Sequence, residues 1–264
     1  MEQTQNKSGL KHQWHVFLTA VMFLTRIPVP HNIDHSSGML QKAARYFTWV
    51  GLVVGIIGGG VFFLLNKYLP GSLSIAFSML ATILATGAFH EDGFADCCDA
   101  FGGGWTKEKI LLIMKDSRLG TYGVVGLLGV LGFKFLLLSS LIVLCDPLHL
   151  ALLIIAAHST SRLMAIVIMQ SYSYVQDTDT SKSKPIASRK LTTLELLIAV
   201  LGALLPMLLL KPGFLLVLLP MGIACWWAGR YFHKWIGGYT GDCLGATQQL
   251  TELVFYLSVF FIIR

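Results

Sequence analysis

The chain has 264 residues, of which 55% are hydrophobic and 13% are charged, and its formal net charge is +6. Soluble domains carry about 25% charged residues, so this composition excludes an ordinary soluble globular protein and indicates a polytopic membrane protein. The positive charge requires no nucleic-acid partner, because basic loops beside anionic membrane lipid account for it.

The first apolar stretch runs from Trp14 to Leu24 and is too short to cross a bilayer, which takes about 20 apolar residues. It is followed by Arg26, Pro28 and Pro30, and not by the small-residue cleavage site of a signal peptide. We therefore predict an interfacial or re-entrant helix at this position.

Longer apolar segments follow along the rest of the chain. Backbone polar groups in lipid must be satisfied within each segment, so these segments are predicted to be helices rather than strands. The predicted fold is all-α, a polytopic integral membrane helical bundle that forms a single domain over residues 1–264. It has about seven predicted spanning helices, at 46–66, 73–90, 120–141, 149–169, 191–210, 213–229 and 244–263.

Lysine and arginine set the orientation of this bundle, because they are enriched in cytoplasmic loops. Fifteen of them fall in 1–45, 91–119, 170–190 and 230–243, against three on the other side of the predicted spans. The N terminus and these loops are therefore predicted to be cytoplasmic, with the C terminus outside.

The first predicted span carries glycines at positions 51, 55, 58, 59 and 60. Small residues let helix backbones approach closely in a membrane, so this pattern predicts close helix packing. A polar linker at 171–190 separates two later spans. It is either a mobile loop or a lid that contacts a phosphorylated substrate through its basic residues, which are Lys182, Lys184, Arg189 and Lys190.

Five of the 14 acidic residues lie in one short stretch: Glu91, Asp92, Asp96, Asp99 and Asp116. The spacing of Asp92, Asp96 and Asp99 places all three on one face of a helix. Like charges at this spacing repel one another, and a divalent cation is the simplest counter-charge. Mg²⁺ takes oxygen ligands and is typically bound by one or two carboxylates together with substrate phosphates. The alternative is a solvated acidic helix face.

Three residues beside this cluster carry further chemistry. His90 precedes the aspartates, and its position leaves open a base, a ligand partner or an interfacial hydrogen bond. Asp116 and Arg118 stand at the entry to the third span. Arginine binds carboxylates and phosphates in a bidentate manner, so Arg118 is either a phosphate clamp or a charged interfacial anchor.

A second polar group, with Thr240 and Asp242, begins the last span at the same predicted membrane boundary. Glu252 follows about three helical turns further into the membrane. It either forms a buried ion pair with Arg162 of the fourth span or takes part in catalysis, and the sequence leaves both interpretations open.

These motifs together resemble one family. The segments FLTRIPVP, GAFHEDGFADCCDAFGGG, IMKDSRLGTYG, the pair Ser161-Arg162 and GYTGDCLGATQQLTE are similar, in this order, to those of the cobalamin synthases, the adenosylcobinamide-GDP ribazoletransferases. The family's acidic run commonly reads HxDGLADTADG. Here the three aspartates are kept, while Phe94, Cys97, Cys98 and Ala100 replace other small or apolar residues.

The resemblance implies a multi-pass enzyme of the bacterial inner membrane whose active site faces the cytoplasm. It would join adenosylcobinamide-GDP to α-ribazole, or to its 5′-phosphate, and release GMP, with Mg²⁺ as the cofactor. Its partners would be these substrates and membrane lipid, and a homo-oligomer stays open. The resemblance implies metal ligands at Asp92, Asp96, Asp99 and Asp242, catalytic roles for His90, Asp92, Asp96, Asp116 and Arg118, and substrate binding by Arg26, Arg118, Arg162, Thr240 and Glu252.

Two other classes of protein compete with this assignment. A CDP-alcohol phosphatidyltransferase would use a similar acidic metal site on a lipid substrate. A cation-coupled transporter would place acids near the membrane midplane between inverted repeats. Most acids of this chain lie at one membrane edge and no inverted repeat is evident, so the transporter is the weaker alternative.

Overall fold

The computed structural model describes residues 2–31, 33, 36–175 and 189–264. The predicted lid at Lys182 and Lys184 therefore lies outside the described residues. In the described part, all regular secondary structure is helical, which confirms the all-α prediction. The α-helices are α1 Glu2–Leu24, α2 Ser37–Ala43, α3 Phe47–Leu65, α4 Gly71–Thr86, α5 Phe89–Gly103, α6 Lys107–Ile113, α7 Thr121–Leu141, α8 Pro147–Ser171, α9 Thr193–Leu204, α10 Leu218–Ile236 and α11 Gly241–Ile263.

Five helices among the described residues are long and apolar enough to cross a membrane, and a sixth span arises if α4 and α5 are counted together. The five are Gly38–Leu65, which contains α3, then α7, α8, Pro212–Ile236, which contains α10, and α11. The chain is thus a multi-pass membrane protein. The count falls below the predicted seven because the segments at 73–90 and 191–210 differ from the prediction.

The segment predicted to span at 73–90 is bent by 88° between α4 and α5. Gly87 and Ala88 form the bend, and both have left-handed backbone angles, with φ of 65° and 59°. Glycine commonly ends a helix in this conformation, whereas alanine rarely adopts it. The bend starts a new helix, α5, just before the acidic residues.

Two other elements also differ in length from the prediction. The segment predicted at 191–210 is the short helix α9 followed by a 3₁₀ turn, Pro206–Leu209, because proline cannot donate the next helical hydrogen bond. Helix α1 starts well before the apolar stretch at Trp14 and is not among the candidate spans. Its position at a membrane interface stays a prediction.

Helix α3 packs along α8 through glycines, which confirms the predicted close packing. Gly51, Gly55 and Gly59 lie along the α8 side of α3. A Cβ atom added at Gly55 would lie 2.7 Å from Ile155 Cα, and one at Gly59 would lie 2.7 Å from the Ala151 carbonyl oxygen. Larger residues at these positions would force the two helices apart.

Helices α5 and α11 also approach each other through glycines. A Cβ atom at Gly93 would lie 3.0 Å from Asp242 Cα, and one at Gly245 would lie 3.1 Å from the His90 carbonyl oxygen. The two acidic motifs, which are far apart in the sequence, are therefore joined backbone to backbone.

Candidate active site

The close contact between α5 and α11 places three predicted site residues together. Asp92 is exposed, whereas Asp96 and Asp242 are half-buried. The Asp96 carboxylate lies within electrostatic range of Asp242, Asp92 and Asp99. The Asp242 carboxylate in turn lies within range of Asp92. We call Asp92, Asp96 and Asp242 the acidic cluster.

The acidic cluster suits a hard cation by its donor type. Carboxylate oxygens are the ligands that Mg²⁺ prefers, and the crowded negative charge requires a positive partner. In the described part of the chain, however, no three His, Cys, Asp or Glu residues converge closely enough to hold an ion alone. Because Mg²⁺ commonly needs only one or two carboxylates plus phosphate oxygens and water, the arrangement fits an ion that is shared with a phosphorylated substrate.

Asp99 has a structural role in addition to its predicted one. Its carboxylate accepts hydrogen bonds from the N–H groups of Gly120, at 2.7 Å, and Gly123, at 2.8 Å. These are among the first N–H groups of α7, which have no partner within their own helix and carry a partial positive charge. A Cβ atom at either glycine would overlap the Asp99 carboxylate. Its role as a metal ligand stays a prediction.

We expect Asp99→Asn to destabilise the protein. Asparagine offers one acceptor oxygen instead of two, so one buried N–H group of α7 loses its partner, at a cost of about 1–3 kcal/mol. Thermal unfolding in detergent measures this loss. Asp146→Asn is the matched control, because Asp146 caps α8 by accepting from His149 N–H at 3.0 Å and asparagine caps a helix equally well. Equal melting temperatures for wild type and Asp99→Asn would contradict the capping role.

Asp116 and Arg118 pair with each other in the loop before α7. Arg118 Nη2 donates to Asp116 Oδ2 at 2.6 Å, and Arg118 Nε donates to Asp116 Oδ1 at 3.0 Å. These hydrogen bonds hold the pKa of the Asp116 carboxyl below its ordinary value. The Arg118 side chain is 87% exposed, so it is accessible to an anion from solution. The predicted catalytic and clamping roles of both residues stay predictions.

Two further predicted site residues have clear local contacts. Thr240 is buried and caps α11, where its hydroxyl oxygen accepts from Cys243 N–H at 3.3 Å. Arg26 is exposed beside the bend between α4 and α5, and its backbone N–H donates to the Ala85 carbonyl oxygen at 2.8 Å. Both positions fit structural roles, and their substrate-binding roles stay predictions.

Glu252 lies at the centre of a buried polar network, with an exposed side-chain fraction of 1%. Lys134 Nζ lies 3.1 Å from Glu252 Oε1, and Gln248 Nε2 donates to Glu252 Oε2 at 2.7 Å. Among the described residues, no direct ion pair joins Arg162 to Glu252. Arg162 Nη1 instead donates to the His158 carbonyl oxygen at 2.6 Å. The Glu252–Arg162 pair considered from the sequence is therefore wrong, and Lys134 takes its place.

The same network reaches α5. Lys134 Nζ also donates to Gln249 Oε1 at 2.9 Å, and Gln249 Nε2 donates to Glu91 Oε1 at 2.9 Å. The network thus ties α7 and α11 to the helix that carries the acidic cluster. Sequence reasoning missed these three residues, although an ionisable side chain such as Lys134 within an apolar span is a recognised signal.

Comparison with known proteins agrees with the motifs. A family model for cobalamin-5-phosphate synthase matches residues 16–260. The chain is 46% identical over 248 residues to an adenosylcobinamide-GDP ribazoletransferase from Shewanella frigidimarina, with 94% of each protein covered. It is 40% identical over 264 residues to a protein of the same name from Vibrio parahaemolyticus, with 97% of this chain and 96% of that protein covered.

No solved structure matches the chain. The family match extends over both acidic motifs, on α5 and on α11, and over the buried network between them. The chain therefore belongs to the cobalamin-5-phosphate synthase family.

Proposed function

We propose that this protein transfers the cobinamide phosphate group of adenosylcobinamide-GDP to α-ribazole, or to its 5′-phosphate, and releases GMP. The names of its relatives support the substrates. The observation that carries the proposal is the contact between α5 and α11, because it assembles an acidic cluster from two distant motifs. Such a cluster suits a diphosphate bound with a divalent cation.

In the proposed reaction, a ribazole hydroxyl attacks the phosphorus that bears the cobinamide group. A new O–P bond forms, the bridging P–O bond breaks, and GMP leaves with the bonding electrons. Negative charge grows on the phosphate oxygens, so charge stabilisation and positioning supply most of the catalysis. Mg²⁺, held by the acidic cluster and flanked by Asp99, would neutralise this charge.

The chain's own residues would bind and orient the reactants. Arg118 is accessible and would bind the diphosphate in exchange for its hydrogen bonds to Asp116. His90 or one of the aspartates would take the proton of the attacking hydroxyl. We also propose that the protein lies in the bacterial inner membrane with this site facing the cytoplasm, and the distribution of Lys and Arg supports this orientation.

Turnover by the purified protein in lipid nanodiscs tests the proposed function. We expect GMP to form only when adenosylcobinamide-GDP and α-ribazole are both present, to stop with EDTA, and to resume with added Mg²⁺. CDP-diacylglycerol with an alcohol acceptor is the comparison substrate for a phosphatidyltransferase. Release of CMP from that lipid, without GMP from the corrinoid, would overturn the proposal.

A further inference from the structure

A small cavity lies where α1, α3, α5, α8 and α11 meet. Most of its wall is apolar, and three aromatic rings contribute to it. Three polar side chains from α5, α8 and α11 also reach it. The lining residues that matter here are Phe23, Phe47, Phe89, His90, Arg162 and Gln248.

Two polar atoms on this wall are buried without a hydrogen-bond partner among the described residues. They are Nε of Arg162, a residue that is 2% exposed, and Oε1 of Gln248, a residue that is 1% exposed. A buried polar group without a partner is costly, and most such groups in native proteins are satisfied. The cavity therefore offers one donor and one acceptor to a ligand.

The aromatic residues form a flat, apolar environment. Phe23 and Phe47 are parallel, with ring centroids 6.1 Å apart and an interplanar angle of 3°. Phe89 meets Phe23 edge to face, with ring centroids 5.5 Å apart. Rings arranged in this way favour a planar aromatic ligand, which can stack on them or meet their edges.

The cavity adjoins the acidic cluster. Gly241 and Gly245 line it, and Asp242 lies between them on α11. His90 also lines it and lies two residues before Asp92 on α5. A ligand in the cavity therefore lies next to the carboxylates to which the phosphoryl transfer is assigned.

We propose that this cavity binds the bicyclic aromatic base of the acceptor nucleoside, an inference that rests on the proposed function. A benzimidazole base is planar and largely apolar, and its free ring nitrogen is a hydrogen-bond acceptor. Arg162 Nε–H donates to that nitrogen, and Gln248 Oε1 accepts from a hydroxyl of the attached ribose. Guanine suits the cavity less well, because its several donors and acceptors would face an apolar wall without partners.

Steady-state kinetics of Phe89→Ala tests this assignment. Phe89 is 37% exposed, so the fold tolerates its truncation better than that of a buried ring. We expect the KM for α-ribazole to rise about 10-fold, because stacking of a base on an aromatic side chain is lost. The KM for adenosylcobinamide-GDP should stay unchanged. Phe133→Ala is the matched control, since Phe133 is 62% exposed on α7 and does not line the cavity.

Arg162→Gln provides a second variant, with thermal unfolding as a check that it folds. We expect it also to raise the KM for α-ribazole and to leave the KM for adenosylcobinamide-GDP unchanged. If the KM for adenosylcobinamide-GDP rises instead, or if Phe89→Ala changes neither KM, the assignment is overturned while the proposed function stands. If wild-type protein yields no GMP from these substrates, the proposed function itself fails, and this inference fails with it.

Discussion

Asp96→Asn is expected to slow GMP release about 100- to 1,000-fold, the range seen when one electrostatic stabiliser of a transition state is removed. Asp96 is half-buried and lies within range of Asp92, Asp99 and Asp242, so it occupies the most negative part of the acidic cluster. Asparagine has the same shape but lacks the charge, which makes it a poor ligand for Mg²⁺. The change also relieves repulsion between carboxylates, so the melting temperature should not fall.

The matched control is again Asp146→Asn, which makes the same chemical change at the N-terminus of α8, outside the acidic cluster. It should leave the rate of GMP release unchanged. Full activity of Asp96→Asn at limiting Mg²⁺ would show that this carboxylate does not bind the ion. A loss of activity accompanied by a lower melting temperature would show that Asp96 supports the fold instead.

Lys134→Met is expected to destabilise the protein by about 3–5 kcal/mol, because it leaves a buried carboxylate without its cation. Lys134 and Glu252 are 7% and 1% exposed, and water cannot replace the lost partner at such a depth. The measurement is the shift in thermal or denaturant unfolding in detergent. Lys67→Met is the matched control, since Lys67 is exposed at the end of α3 and contacts only the Phe63 ring, at 5.1 Å.

A double variant separates the ion pair from simple packing. Replacing both charges of a buried pair is often nearly neutral, whereas removing one is costly. Lys134→Met combined with Glu252→Gln should therefore recover most of the stability that Lys134→Met loses. If Lys134→Met unfolds like wild type, or if the double variant is less stable than the single one, the ion pair does not have the assigned role.

The local chemistry of the acidic motifs could be predicted from the sequence. The spacing of Asp92, Asp96 and Asp99 identified one helix face, and the glycines of α3 indicated close helix packing. Both are local patterns, because a helix places residues four apart on the same side whatever it packs against. The membrane class followed from composition alone.

Features that depend on which helices meet could not be predicted in this way. Arg162 and Lys134 both lie within apolar helices, and only the packing of α7 against α11 decides that Lys134 reaches Glu252. The bend at Ala88 was also hidden, because alanine favours a helix and its left-handed angle is imposed by its surroundings. For Asp99, the sequence showed the charge but not the α7 N–H groups that it caps.

Binding of Mn²⁺, followed by electron paramagnetic resonance, tests the central claim most directly. The claim is that the acidic cluster binds a divalent cation together with the substrate diphosphate. We predict that adenosylcobinamide-GDP converts free Mn²⁺ into a bound signal with wild-type protein in nanodiscs, and that Asp96→Asn abolishes this bound signal. A bound signal of equal strength in the variant, or none in the wild type at saturating substrate, would contradict the claim.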